Sequence, residues 1–200
     1  MHDSLKSRGR LRQVSTLLAC VVMLPSALSL AVGQTSSREW GDLLRSNSLR
    51  FAIPPGFVSI PVKANGDVAY DFAIRSQSRR LEIRYRVWPI DRSRGQSPGR
   101  ANAIYTAMIL TMGLNISKGE LPETQDFPHE SVRQEFGADA GQTTLVDCNS
   151  EFGQGYNKCM ISVIHKDDVV DIYTFFLFDA REVISEALMT EEVFHAIRFR

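Results

Sequence analysis

The chain has 200 residues, of which 44% are hydrophobic and 23% are charged, with 23 basic and 23 acidic side chains. These values are close to the average for globular proteins, and they exclude an intrinsically disordered chain. Without its first 33 residues the chain has 19 basic and 22 acidic residues. Nucleic acid is therefore excluded as a general partner, because phosphate binding depends on accumulated lysine and arginine.

Residues 1–33 have the three-part layout of a secretory signal peptide. Four basic residues precede an apolar run over residues 14–24, and small residues follow it. Small residues permit cleavage at three places, after Ser29, Ala31 or Gly33. We favour the third, which leaves Gln34 first. An uncleaved anchor is the alternative, because the segment is about long enough to span a bilayer. The sequence thus predicts a periplasmic or secreted protein.

A short helix and linker are predicted over residues 34–48, ahead of one α+β domain over residues 49–200. Ser36 and Glu39 have the spacing of a capping box, and Trp40 follows them. This pattern predicts a helix that docks on the domain through its apolar side.

The first half of the domain is predicted to consist mainly of strands. Residues 49–53 and 57–61 are two short extended segments with a proline-containing turn between them. Residues 68–74 and 81–88 are predicted to pair as a hairpin around the polar loop 75–80.

The strand 81–88 has one apolar face and one charged face. Alternation places Leu81, Ile83, Tyr85 and Val87 on the first face, and Glu82, Arg84, Arg86 and Trp88 on the second. We expect the first face to lie in the core. Arg84 and Arg86 should then share one surface on the opposite side.

A helix is predicted over residues 100–112, with Gly113 as the residue that ends it. Residues 114–130 contain two prolines and several acids without a sustained period, which predicts an irregular surface crossing.

Two strands are predicted over residues 131–136 and 143–149, and a long hairpin over residues 156–178. Both faces of the hairpin are apolar, which predicts an antiparallel sheet covered on each side. Asp179 and Thr190 are predicted to begin two short helices near the end of the chain.

The two cysteines of the predicted mature chain, Cys148 and Cys159, are predicted to form a disulfide bond. An exported protein meets an oxidising compartment. A hairpin with its turn at residues 152–155 places the two cysteines directly opposite each other, at the short separation that a disulfide requires. A catalytic thiol with His165 or His195 is the alternative.

The sequence contains no recognised catalytic motif and no metal-ligand spacing. His129, His165 and His195 belong to three separate predicted elements. Glu191 and Glu192 precede His195 at helical spacings, which we interpret as a solvated helix face. We therefore expect no metal, no cofactor and no enzymatic activity. A small exported hydrolase or metal-dependent enzyme is the competing interpretation.

Arginine is concentrated in one part of the chain. Eight arginines and two acids lie between residues 75 and 100, whereas sixteen acids and six bases occur from Glu120 onward. The two parts can pair across the fold as surface salt bridges, each of which contributes little. Alternatively, an exposed arginine face near Tyr70 and Trp88 binds an anionic phospholipid, polyanion or acidic protein. The candidate residues for this face are Arg75, Arg79, Arg80, Arg84 and Arg86.

The order of the predicted elements and three segments resemble the PsbP-like fold. The segments are the run Phe51-Ala52-Ile53-Pro54-Pro55-Gly56-Phe57, the strand 81–87 and the terminal run 193–199. This fold is shared by the extrinsic PsbP subunit of photosystem II, a nuclear Ran-binding protein and exported bacterial proteins of the DcrB type. The resemblance covers residues 49–200, and it implies an α/β/α sandwich that serves as a binding or accessory module.

The sequence as a whole predicts a non-enzymatic binding or accessory protein of the cell envelope. Its expected partner is a protein or another envelope component, with peripheral membrane contact compatible with the arginine face.

Overall fold

The computed structural model describes residues 37–90, 98–117, 119–188 and 191–200. The predicted signal peptide with its cleavage sites, the capping residue Ser36, and Arg92 and Arg94 lie outside the described residues. Within those four ranges, no helix has the length and apolar character needed to cross a membrane.

The strands are, in chain order, β1 (Leu49–Phe51), β2 (Phe57–Ile60), β3 (Phe72–Ser76), β4 (Leu81–Pro89), β5 (Thr124–Asp126), β6 (Ala140–Asp147), β7 (Lys158–Lys166), β8 (Val170–Phe178) and β9 (Ile197–Phe199). The helices are α1 (Ser37–Ser46), α2 (Pro98–Ile116), α3 (His129–Ser131), α4 (Ser150–Gly153), α5 (Arg181–Leu188) and α6 (Glu191–Phe194). A π-helical segment, Val132–Phe136, directly follows α3.

An antiparallel sheet of seven strands forms the centre of the domain, in the spatial order β2-β3-β4-β8-β7-β6-β5. The hairpin predicted over residues 156–178 supplies β7 and β8, and β8 lies between β7 and β4 in the middle of the sheet. The predicted α+β class, with an antiparallel sheet and flanking helices, is confirmed.

Strand β8 is buried along its whole length, as its two apolar faces predict. Its alternate residues belong to two separate cores. The first core contains Ile172, Phe176 and Phe178, together with Trp40 from α1, Ile184 from α5 and Val193 from α6. The second core contains Tyr173, Phe175 and Leu177, together with Ile109, Met112 and Ile116 from α2 and Phe152 from α4. The sheet is therefore covered by helices on both faces.

A second, two-stranded sheet joins β1 to β9. Leu49 pairs with Phe199 and Phe51 pairs with Ile197, and the Arg200 amide donates a hydrogen bond to the Ser48 carbonyl at 3.0 Å. The sequence predicted β1 but neither β9 nor this pairing.

The strand predicted over residues 131–136 is wrong, because this segment forms the end of α3 and the π-helical segment. Val132 and Phe136 lie one helical turn apart, and both are buried against Ala138 and Ile164. Gly137 then adopts a left-handed conformation with φ 68° and ends the segment. Apolar residues four positions apart thus lie on one side of a helical turn here rather than on one face of a strand.

The start of the strand predicted over residues 68–74 is also wrong, since β3 begins at Phe72 rather than at residue 68. The Asn65 side chain accepts hydrogen bonds from the amides of Asp67 and Val68. The Tyr70 hydroxyl accepts another from the Lys63 amide at 2.8 Å. These side-chain bonds replace a strand ladder in this stretch.

Helix α2 continues through Gly113 to Ile116, so Gly113 does not end the helix as predicted. A Cβ atom added at Gly113 would lie 2.8 Å from Pro122 Cγ and 3.1 Å from Pro122 Cβ. The glycine is therefore required by the close approach of the segment that follows α2.

We expect Gly113→Ala to lower the free energy of unfolding by about 1–3 kcal/mol, because the proline ring cannot move aside without repacking. The matched control is Gly41→Ala in α1, where the added Cβ would meet only the flexible Arg45 side chain, at 3.3 Å. This control should raise stability by about 0.5–1 kcal/mol. Urea unfolding measures both changes, and a Gly113→Ala variant as stable as the parent would contradict the close-packing account.

Candidate anion-binding site

The structure separates the five candidate arginines into three environments. Arg75, Arg79 and Arg80 line a pocket at the end of the sheet where β3 turns into β4. Arg84 lies in the second core, and its side chain is 0% exposed. Arg86 is half-buried on the same face of β4. Arg84 and Arg86 share one face of β4, as predicted, but that face is covered at Arg84, so the two arginines do not form an open binding surface.

Arg84 is buried because two rings and a carboxylate surround its guanidinium. Its guanidinium carbon lies 4.9 Å from the centre of the Tyr70 ring and 4.8 Å from that of Phe152. Its Nε donates to Glu82 Oε1 at 2.8 Å, and its Nη1 donates to the Phe152 carbonyl at 2.7 Å. The part of the charged face that Glu82 and Arg84 form is thus buried, with its charge balanced internally.

Arg86 is also engaged inside the domain. Its Nη1 donates to Asp71 Oδ1 at 3.0 Å, and its guanidinium carbon lies 5.2 Å from the Trp88 ring centre. Burial raises the pKa of Asp71, against the opposing effects of the Val87 amide and Arg86. Arg86 therefore serves to neutralise a half-buried carboxylate.

The remaining three arginines define what we call the arginine pocket, a depression of about 480 Å³. Its lining residues are Arg75, Gln77, Ser78, Arg79, Arg80, Gln154 and Tyr156. The side chains of Arg75, Arg79 and Arg80 are 44%, 42% and 61% exposed. Three guanidinium groups thus reach solvent at one place.

Two of these guanidinium groups are held in position by the domain. Arg75 donates to Glu82 Oε2 from Nη2 at 2.7 Å and from Nε at 3.2 Å. Arg80 donates to the Asp179 carboxylate and to the Gly155 carbonyl. Both residues are therefore ordered before any ligand arrives.

Arg79 is held more loosely than its two neighbours. Among the described residues its ion-pair partner is Glu186 of α5, at 3.6 Å, and the Glu186 side chain is 63% exposed. An exposed pair at this distance contributes little to stability. The Arg79 guanidinium is consequently the one most easily transferred to a bound anion.

Tyr156 adds a hydroxyl to the pocket. The Arg80 guanidinium carbon lies 5.0 Å from its ring centre. Burial and the charge of Glu82 raise the pKa of Tyr156, while Arg75 and Arg80 act in the opposite direction. The hydroxyl therefore stays protonated at neutral pH and can donate a hydrogen bond.

The sequence did not indicate Tyr156, Gln154 or the role of Glu82 in this site. Residues 154–156 meet the β3–β4 loop only because β8 lies between β4 and β7. The pairs of Arg79 and Arg80 with the later, acidic part of the chain agree with the salt-bridge alternative for those two residues. The structure thus contains both the surface salt bridges of the first interpretation and the exposed arginines of the second.

The two cysteines are buried, unbonded and in contact, but they are not directly opposite each other. Val146 pairs with Cys159 in the β6–β7 ladder, and the Cys148 amide donates to the Asn157 carbonyl at 2.7 Å. The predicted register is therefore wrong by two residues, because α4 takes the place of a tight turn. Burial raises the pKa of the Cys159 thiol, and the neighbouring Cys148 thiol raises it further. The disulfide bond stays a prediction.

The histidines do not assemble a metal site with other ligands: the described ranges contain no group of three or more histidine, cysteine, aspartate or glutamate residues placed to hold a metal ion. His195 Nε2 lies 3.0 Å from Glu135 Oε2. The exposed His129 lies 3.3 Å from the Asp139 carbonyl.

His165 is the one buried histidine of the described chain, at the turn end of β7. Its Nδ1 lies 2.6 Å from Asp171 Oδ1 and its Nε2 lies 2.9 Å from Asp167 Oδ1. The Tyr105 ring stacks on the imidazole at 4.6 Å. Burial lowers the pKa of His165, but hydrogen bonds and charges from the two aspartates outweigh it and raise the pKa above its ordinary value of 6.5.

The comparisons with known proteins concern the fold. No protein-family model matches the sequence, and no curated protein matches it significantly. The structure is similar to the solution structure of cyanobacterial PsbP (CyanoP) from Synechocystis sp. PCC 6803, with a TM-score of 0.43 and 12% sequence identity. The match covers 88% of this chain and 99% of that chain. The similarity is one of fold alone, and at this TM-score the PsbP-like fold stays a prediction.

The raised pKa of His165 predicts a pH-dependent contribution to stability. This contribution is fully present below the unfolded-state pKa, about 6.5, and is lost as the pH rises through the higher folded-state pKa. We expect the difference in unfolding free energy between the parent and His165→Asn to shrink from pH 6 to pH 9. Urea unfolding at several pH values measures it. His129→Asn is the control, because His129 is exposed, and this variant should keep the pH dependence of the parent. If the difference in unfolding free energy between the parent and His165→Asn did not change with pH, the proposed contribution of His165 would be refuted.

Proposed function

We propose that this chain is an exported, non-enzymatic binding or accessory protein of the cell envelope that recognises an anionic partner through the arginine pocket. The observation that carries the proposal is the convergence of three exposed guanidinium groups on one pocket beside a protonated tyrosine hydroxyl.

The electrostatics of the pocket support anion binding. Glu82 is already neutralised by the buried Arg84, at 2.8 Å, so the charge of Arg75 is not fully cancelled by its contact with the same carboxylate. Arg80 is balanced by Asp179, whereas the ion pair of Arg79 within the described part of the chain is the long contact with the exposed Glu186. The pocket therefore keeps positive charge in a domain that is slightly acidic as a whole.

The order of the pocket also favours binding. Fixing a long side chain on association costs about 0.5–1.5 kcal/mol. The internal hydrogen bonds of Arg75 and Arg80 already fix these two side chains in the folded domain, so binding does not have to order them again. Guanidinium groups form forked hydrogen bonds with oxyanions, which combine charge with direction. An attraction of this kind weakens as salt is added.

We expect Arg75→Gln and Arg79→Gln each to lower the partition coefficient on anionic vesicles about fivefold, because one arginine near such a surface contributes about 1 kcal/mol. Vesicle sedimentation of the mature chain at low and at high salt measures the loss. The matched control is Arg133→Gln, which replaces an exposed arginine near the opposite end of the sheet.

Two results would count against the proposal. The first is vesicle binding by the Arg75→Gln/Arg79→Gln double variant equal to that of the parent at every salt concentration. The second is a strongly lowered melting temperature with unchanged binding, since it would show that these arginines act only as internal partners of the carboxylates.

Export also bears on the two cysteines. We predict that Cys148 and Cys159 are bonded in the exported protein, because their buried thiols are in contact and the compartment is oxidising. Bond formation requires Cys148, which lies just after the end of β6, to move closer to Cys159 than its present diagonal position. Intact mass analysis without reductant should show the loss of two hydrogens. A variant without residues 1–33, kept in the cytoplasm, is the reduced control, and two alkylatable thiols in the exported chain would disprove the bond.

A further inference from the structure

We infer that the arginine pocket selects phosphate monoester groups over carboxylates, an inference that rests on the proposed anion-binding function. The donor groups of the pocket come from three places on the chain. Arg75 belongs to β3, Arg79 and Arg80 belong to the following loop, and Tyr156 precedes β7. Donors that line one pocket from several places on the chain suit a three-dimensional anion better than a planar one.

The number of acceptor oxygens distinguishes the two ligand classes. A carboxylate has two oxygens in one plane, and one forked guanidinium satisfies both of them. A phosphate monoester has three strong acceptor oxygens and a charge of about −1.5 to −2 at pH 7. The donors that remain on Arg75, Arg79 and Arg80, with the Tyr156 hydroxyl, can engage all three oxygens together.

Three carboxylates among the described residues already contact the arginines of the pocket, and an incoming monoanion would have to compete with them. Asp179 holds Arg80 and also accepts a hydrogen bond from the Asn157 amide, at 3.0 Å. Glu82 is 4% exposed and is shared by Arg75 and Arg84. Neither position is open to an incoming carboxylate. Glu186, 3.6 Å from Arg79, is the acid at the rim of the pocket. A ligand with greater charge than a carboxylate is needed to compete with it effectively.

The pocket is wide enough for an esterified group. Its volume of about 480 Å³ exceeds that of a phosphate ion, and the half-exposed arginine side chains leave its mouth open. The same phosphate chemistry occurs in a membrane headgroup and in a soluble ester, so the test has one arm for each source.

The soluble arm measures dissociation constants of the mature chain for inorganic phosphate, glycerol 3-phosphate, acetate and succinate at equal ionic strength. The membrane arm measures flotation with vesicles that contain equal mole fractions of phosphatidic acid or phosphatidylserine. We expect the phosphate monoester to bind at least about tenfold more tightly than the carboxylate in one arm or in both. Binding in the soluble arm alone identifies a free ester as the source, and binding in the membrane arm alone identifies a headgroup.

Variants assign this selectivity to the pocket. Arg79→Gln should remove the preference for phosphate, whereas Arg133→Gln should keep it. Glu186→Gln should tighten phosphate binding by up to about fivefold, because it removes a weak internal competitor. Glu130→Gln, near the opposite end of the sheet, controls for the change in net charge. Thermal unfolding of each variant confirms that it is folded.

The outcomes distinguish a failure of the phosphate inference from a failure of the proposed anion-binding function. Equal affinity for phosphate and carboxylate ligands, with loss of both in Arg79→Gln, overturns the phosphate inference and leaves the anion-binding function in place. Absence of anion binding in both arms overturns both. A phosphate preference that survives Arg79→Gln shows that the ligand binds elsewhere, and it also overturns the inference.

Discussion

A single buried carboxylate, Glu82, connects the interior of this domain to the arginine pocket. One of its oxygens accepts from the fully buried Arg84 and the other accepts from Arg75 at the surface. A buried ion pair is not a strong source of net stability, but removal of one partner leaves an uncompensated charge in the core. The position of the surface guanidinium is therefore coupled to the packing of β4 against Tyr70 and Phe152, which enclose the buried one.

The sequence contained enough information to predict the centre of the fold. The run of β-branched and aromatic residues in β7 and β8 predicted both strands and their burial, because an apolar strand on both faces needs a covering layer on each side. The same alternation in β4 identified which residues share a face. It did not predict that the face with Arg84 is buried, since the covering residues Tyr70 and Phe152 come from distant segments. Face membership is local information, whereas burial depends on tertiary packing.

The remaining errors have a related physical cause. Residues 131–136 have apolar side chains that suit a strand or a helical turn, and burial of Val132 with Phe136 decides for the turn. The register at the cysteines depends on α4, whose Asn149 side chain accepts from the Phe152 amide at 2.8 Å and begins a short helix. For the candidate site, clustering in the sequence identified Arg75, Arg79 and Arg80. Tyr156 and Gln154 required knowledge of the strand order.

The pairing of β1 with β9 has a consequence for the order of folding. These two strands are separated by nearly all of the described chain, whereas the hairpin β7–β8 is closed by a short turn. Direct closure of so long a loop from the unfolded chain carries a large entropic cost, and contacts of high sequence separation slow folding. Once the seven-stranded sheet has formed, the same two segments are brought near each other and little of that cost remains. The small sheet should therefore form last, and its formation adds Leu49 and Ile197 to the first core.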